Sequence, residues 1–366
     1  MKEQKHILYA TAARLSRRKA HVVSILNMCD SLHKRGHVVT LAVPKEEEVE
    51  EVVAQYDISP EVNIVQVPTI DISWLSAKVR EWVRLWSFGK AVRMLSEEHD
   101  VVLTRDWALT LYVEDYIFLH GKPDFSRRNW KKRLENAQGI VVVNSIIKRI
   151  LVDAGIEEGK IHVAPNGVDI ASFSLDMNAQ EMRGELGLPE DAKIVMYTGS
   201  FYLHDWKGVQ VLLEAAALLP EYAFVMVGGG TAEIEGIKKE YKGDNIILRE
   251  KQPHKDIPRY LQAADILVIP NTDNAKEGSH YTSPIKLFEY MASGRPIVAS
   301  KLPSIQEIAT EDIVQFVKTG DAEDLARGIT EVLSDENTAA TLAQRAREEV
   351  QNYTWDARAR VVENIL

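Results

Sequence analysis

The chain has 366 residues, 45% of them hydrophobic and 27% charged, and a formal net charge of −10. That length exceeds one comfortable hydrophobic core and predicts about two domains, and no apolar run is long enough to cross a bilayer. Residues 1–165 hold 24 Lys and Arg against 22 Asp and Glu, and residues 166–366 hold 20 against 32, which argues against a nucleic-acid binder and leaves only the first half to meet an anionic surface.

MKEQK leads straight into HILYA with no signal-peptide core, so a cytoplasmic protein is expected. The one cysteine, Cys29, has no partner for a disulfide and sits in an apolar helical pattern, where it reads as core packing.

HILYA (6–10) is the first predicted strand. Val22, Val23, Ile25, Leu26 and Leu32 then recur at helical spacing, and Gly36 ends that helix. HVVTLAVP (37–44), NIVQV (63–67), DVVLT (100–104), the segment from Asp115 to Leu119 and GIVVVN (139–144) follow as strands. Continuous apolar strands separated by helices predict a parallel sheet covered on both faces. VAPNGVD (163–169) breaks the pattern as an interdomain turn. The alternation restarts with strands at 193–199, 222–230, 245–250, 265–270, 296–300 and 313–317, and helices at 208–219, 231–242, 257–264 and 322–334. The expected fold is α/β. Two doubly wound, Rossmann-like domains, 1–165 and 166–351, would bind ligands beyond the C-terminal ends of their strands and face each other across a cleft.

YTGSFYLHDWKGVQVLLEAA (197–216) runs from a strand through Gly199 and Ser200 to Lys207-Gly208 and an amphipathic helix. A strand turning through glycine into a helix N-terminus has the outline of a phosphate site. Lys207 adds a cation there, although a solvated loop lysine would look the same. Gly228, Gly229 and Gly230 repeat the turn and permit close backbone approach. In YTSPIKLFEYMASGRPIVAS (281–300), Pro284 suits the first turn of a short helix over 285–292 that Gly294 stops. The N–H groups of Ile285 and Lys286 would point from that terminus at an anion. Glu289 lies a turn further in. A carboxylate there can accept two hydroxyls, as a ribose presents them, or simply favour the helix dipole.

SPIKLFEYMASGRPIVAS resembles the nucleotide-sugar signature of the family-four (group 1) retaining glycosyltransferases, which have the two-domain GT-B architecture. TGSFYLHDWKG is similar to their phosphate loop, and APNGVD with Phe173 to their hinge. RYLQAADILVIPN (259–271) is similar to the helix and strand leading into their donor site. NSIIKRILVDAGI (144–156) and KAHVVSILNMCDSLHKRGHVVTLAVP (19–44) resemble first-domain elements. YTWDARARVVENIL (353–366) resembles their last helix, which crosses back to the first domain. The similarity covers most of the chain, in order.

The resemblance implies transfer of a sugar from a nucleotide diphosphate sugar to a hydroxyl acceptor, with retention, in glycan, polysaccharide or glycolipid synthesis. The first domain would take the acceptor and the second the donor. His120, facing the transferred sugar, and Lys207, neutralising the leaving phosphate, would be catalytic. Ser200, Ser283, Pro284, Ile285 and Lys286 would meet the nucleotide with Lys207, and Glu289 would hold its ribose. Tyr281 and Thr282 would face the donor sugar, and Gly199, Gly228 and Gly229 would line the cleft. No D-x-D pair is visible, and neither metal nor cofactor is expected.

Three positions depart from the family pattern. Tyr281 stands where a glutamate pairs with Glu289, which leaves the sugar open. Ser200 replaces an arginine of the phosphate loop, with His204 or Arg249 as candidate substitutes. Thr11-Ala12-Ala13 replaces a glycine-rich loop. Epimerases, phosphorylases and dinucleotide oxidoreductases share tandem doubly wound domains; the lack of a G-x-G-x-x-G with a following acidic residue weakens the oxidoreductase reading, and a nucleotide-sugar epimerase of the same architecture is an alternative. A catalytically silent nucleotide-sugar-binding protein is the other class. Tyr281 favours it, and His120, Lys207 and Glu289 oppose it. FSRRNWKKRLENA (125–137), basic with one Trp, and the Trp-rich WLSAKVREWVRLW (74–86) suggest peripheral membrane contact through the first domain; helices packing with solvated charges would read the same.

Overall fold

The computed structural model describes residues 3–17, 20–47, 49–56, 58–113, 115–203 and 206–366. It divides into two compact units, Met1–Gly167 with Trp355–Leu366, and Val168–Thr354.

The first unit carries a seven-stranded sheet: β1 (His6–Ala10), β2 (Val38–Pro44), β3 (Asn63–Val67), β4 (Val101–Thr104), β5 (Tyr116–Leu119), β6 (Gly139–Val142) and β7 (Ile161–Val163). The order is β3-β2-β1-β4-β5-β6-β7 and every pairing is parallel. Alternate residues of β1 serve two cores: Ile7 and Tyr9 pack in one, Leu8 and Ala10 in the other. That two-sided burial is why the strands read as unbroken apolar runs. The three-residue β7 is not among the predicted strands, and its last residue, Val163, opens the segment read as an interdomain turn.

The second unit repeats the scheme with β8 (Ile194–Thr198), β9 (Ala223–Gly229), β10 (Ile246–Glu250), β11 (Ile266–Ile269), β12 (Ile297–Ser300) and β13 (Gln315–Val317), in the parallel order β10-β9-β8-β11-β12-β13. Ile194 and Met196 face one core and Val195 and Tyr197 the other.

The helix Trp355–Glu363 belongs to the first unit. Ala359 and Val362 pack into its core. Arg35, just past the helix Ala20–Lys34, binds Glu363 at 2.5 Å and Asp356 at 2.8 Å. Cys29 is fully buried in that helix, where burial pushes its thiol pKa up and keeps it unreactive.

Candidate active site

The strand order of the second sheet reverses between β8 and β11, the place where doubly wound sheets hold ligands beyond their strand ends. Gly199 and Ser200 follow β8 directly. The loop returns so that Lys207 Nζ meets Ser200 Oγ. The same amine stands 5.6 Å from the Tyr202 ring centre and 5.9 Å from that of Trp206. Gly208 lets the loop close: at φ +69° it lies so near β11 that a Cβ would sit 1.7 Å from the Pro270 carbonyl oxygen.

Pro284 caps the helix Ile285–Ser293, one residue before the turn where the sequence suggested it, and Gly294 ends that helix in the left-handed conformation. Ile285 and Lys286 are its first two residues, whose N–H groups have no carbonyl four residues back within the helix. The Lys286 side chain reaches to the phosphate loop. Its Nζ lies 4.2 Å from the Tyr197 ring centre and 3.2 Å from where a Cβ on Gly199 would stand. This Nζ is buried and makes no hydrogen bond with the described residues. Burial, and then the charge of Lys207, pull its pKa down to about 7, with Glu289 pulling the other way. Two amines, one of them unpaired, beside a helix N-terminus favour an anion of more than one charge.

Glu289, 9% exposed, is held by His254, whose Nε2 lies 2.8 Å from its Oε1. His254 opens a short turn, His254–Asp256, 35 residues away in sequence. Nothing local in the chain marks it. One carboxylate oxygen of Glu289 is thus already engaged in this structure.

The other expected residues divide. Arg249 does not join the cluster: it is on the edge strand β10 and donates to the Gly187 carbonyl at 3.0 Å, capping a different helix. His204 lies outside the described residues. Among the described residues, Lys286 instead stands beside this loop, against Gly199. Gly228, at φ +124°, packs β9 onto the phosphate loop, where a Cβ would come within 2.6 Å of the Gly199 carbonyl oxygen. Gly229 abuts the Phe201 ring. Tyr281 is buried beside His280, with ring centres 6.0 Å apart. Thr282 Oγ1 donates to the Gly278 carbonyl at 3.0 Å, and Ser283 is buried. Two further residues, Asn271 and Thr272, follow β11. Both are buried, and Asn271 Oδ1 and Thr272 Oγ1 make no hydrogen bond with the described residues.

His120 belongs to the first unit, directly after β5. Its Nε2 is buried and makes no hydrogen bond with the described residues. Burial first, then the charges of Arg105, Arg358 and His21, hold its pKa well below the ordinary histidine range, so the ring is neutral at pH 7. Among the described residues, no group of three or more His, Cys, Asp or Glu is placed to hold a metal ion.

Two parallel, helix-covered sheets of these orders form the GT-B architecture. A sucrose-phosphate synthase from Thermosynechococcus elongatus shares the fold with a TM-score of 0.77 at 21% identity, over 99% of this chain and 98% of that one. Anabaena Alr3699/HepE, solved with UDP and glucose, superposes with a TM-score of 0.76 at 16% identity, over 98% of each chain. The profile of the "Glycosyl transferases group 1" matches residues 178–349, and that of "Glycosyltransferase Family 4" residues 21–172. The chain belongs to the group 1 glycosyltransferases. Arabidopsis thaliana sulfoquinovosyl transferase SQD2 is 27% identical over 232 residues, 61% of this chain but 43% of the relative. The chain therefore matches less than half the length of that relative.

Proposed function

We propose that the protein is a retaining hexosyltransferase that moves a sugar from a nucleotide diphosphate sugar to a hydroxyl acceptor in glycan or glycolipid synthesis. The observation that carries this reading is the meeting of Lys207 with Ser200, and of Lys286 with the neighbouring Gly199, at the strand-order reversal of the second sheet. A leaving diphosphate gains negative charge as the glycosidic bond breaks, and cations already in place stabilise that charge in the transition state. Lys286 takes the part that an arginine at the Ser200 position would play. Glu289 holds the ribose through the oxygen that His254 leaves open. Family membership and UDP bound to the Anabaena structure support a nucleotide donor.

His120 is at the C-terminal end of β5, where a doubly wound unit presents its ligand groups. As a neutral imidazole it can hold a sugar hydroxyl without repelling an oxocarbenium-like centre. Peripheral membrane contact is read for the first unit because Trp74 is 82% and Trp82 64% exposed, with Lys78 and Arg80 exposed between them. Side chains of that size at the surface suit a bilayer interface. No described helix is long and apolar enough to cross a membrane.

The test is to incubate the protein with a mixture of UDP-, GDP- and ADP-sugars and measure release of nucleoside diphosphate. Selective release from one donor is expected. Tight binding of a donor without release, with or without acceptor extracts, would move the protein to the silent binding class that Tyr281 suggested.

A further inference from the structure

The first sheet has its own reversal of strand order, between β1 and β4. The residues that follow β1, β4 and β5 there are Thr11, Arg105 with Asp106, and His120. Arg105, partly exposed, donates from Nη1 to the carbonyl of His21 at 3.3 Å, in the first turn of the helix Ala20–Lys34. Arg358, 4% exposed, lies over the Phe118 ring and donates from Nη1 to Asn166 Oδ1 at 2.5 Å, while its Nε is buried with no partner among the described residues. Burial and the neighbouring Arg105 lower even the Arg358 pKa, to about 10, against the pull of Tyr9. One carboxylate, Asp106, stands at the edge of this group. It is already held by Thr11 Oγ1 at 2.6 Å and the Ala12 N–H at 2.8 Å.

Two guanidiniums, a buried and unpaired imidazole nitrogen and a helix N-terminus thus converge at a ligand-binding strand edge. Their acidic neighbour among the described residues, Asp106, already accepts from Thr11 and Ala12. Such a concentration of positive charge is costly unless an anion occupies it. A carboxylate would balance one of these cations; a phosphate offers up to two charges and matches the planar donor fork of arginine.

We propose that the first unit binds an acceptor bearing a phosphate group, with Arg105 as the contacting cation and Arg358 and His120 supplying charge and a hydrogen bond behind it. This names the acceptor class and rests on the transferase reading, since it treats the first unit as the acceptor side. The phosphate belongs either to a soluble phosphorylated sugar or to a lipid headgroup, and the chemistry recognised is the same.

The full chain is first saturated with whichever of UDP, GDP or ADP binds it, so that its donor phosphate site is filled. A hexose 6-phosphate, the corresponding neutral hexose and vesicles with or without phosphatidic acid are then titrated. Binding of a phosphate-bearing probe but not its neutral counterpart is expected. The Arg105→Gln protein should bind that probe about 10–100-fold more weakly, the value of one charge-assisted hydrogen bond, with nucleoside diphosphate affinity unchanged. Arg105→Lys should recover part of the loss. Histidine NMR should show the His120 signal shifting as the phosphate probe fills the site. Response to the sugar phosphate alone assigns a soluble acceptor, and response to phosphatidic acid vesicles alone a lipid one. Phosphate binding that is equal in Arg105→Gln, or that is lost when the nucleotide is present, overturns the proposal. Absence of nucleoside diphosphate binding with intact, Arg105-dependent phosphate binding would instead overturn the donor reading and leave this site standing.

Discussion

Lys286 allows a prediction in which binding and stability move in opposite directions. Its amine titrates near pH 7 in the empty site because burial and Lys207 disfavour its charge. A bound diphosphate must favour the charged form, so nucleotide binding takes up a proton. If the complex keeps the lysine charged to pH 9, the fraction ready to bind falls from about one half at pH 7 to about one hundredth at pH 9. Nucleoside diphosphate affinity should then drop about fifty-fold across that interval, ~2.3 kcal/mol. Isothermal titration in buffers of different ionisation enthalpy would count the proton directly.

Lys286→Arg stays charged throughout, so it should bind with a flat pH profile and no proton uptake. Lys286→Met should bind weakly at every pH. For folding the sign is reversed. The lysine pKa is 10.5 in the reference state and about 7 in the folded chain, so the unfolded chain holds more protons between those values. Stability from this group therefore rises as pH increases from 7 to 10.5 and is lowest below 7. Lys286→Met should accordingly melt higher than the parent at pH 7 while binding less. A parent affinity that is flat from pH 7 to 9, or a pH slope unchanged in Lys286→Arg, would refute the reasoning.

Lys207→Ala should lower turnover by about 10²–10³ with a smaller change in donor binding, since its charge matters most as the leaving phosphate forms; steady-state kinetics with unchanged turnover would remove it from the catalytic list. Glu289→Gln should cost about 1.5–3 kcal/mol, equally for the nucleoside diphosphate and the intact donor by calorimetry, and a loss confined to the intact donor would assign Glu289 to the sugar. His120→Ala should abolish most transfer and leave nucleoside diphosphate affinity nearly unchanged, because the donor residues all belong to the second unit; an equal loss of both, in protein with an intact circular dichroism spectrum, would contradict this. Changing Arg127, Arg128, Lys131 and Lys132, all exposed, to Ser should weaken sedimentation with anionic vesicles by about 1 kcal/mol per residue that meets the surface. Equal sedimentation with neutral and anionic vesicles would return 125–137 to a solvated helix.

Much of the architecture was decided locally. A strand buried on both faces must be apolar at every position, so the runs of β1, β8, β9, β11 and β12 stand out in the sequence, whereas three-residue β7 is too short to do so. Gly208 and Gly294 mark where the chain must take a positive φ, and the Ser-Pro start of the helix Ile285–Ser293 marks its N-terminus. Family likeness then singled out the loops proposed to carry chemistry. What the sequence alone could not decide was which side chains meet across those loops. Arg249 turned to Gly187, and Lys286 came to the phosphate loop in its place. His254 reached Glu289 across 35 residues, and Arg358 reached Asn166 across 192. Backbone conformation and burial pattern are set within a few residues and leave a local signature. The pairing of charges depends on strand order and on loops closing over one another, and so exists only once the tertiary structure has formed.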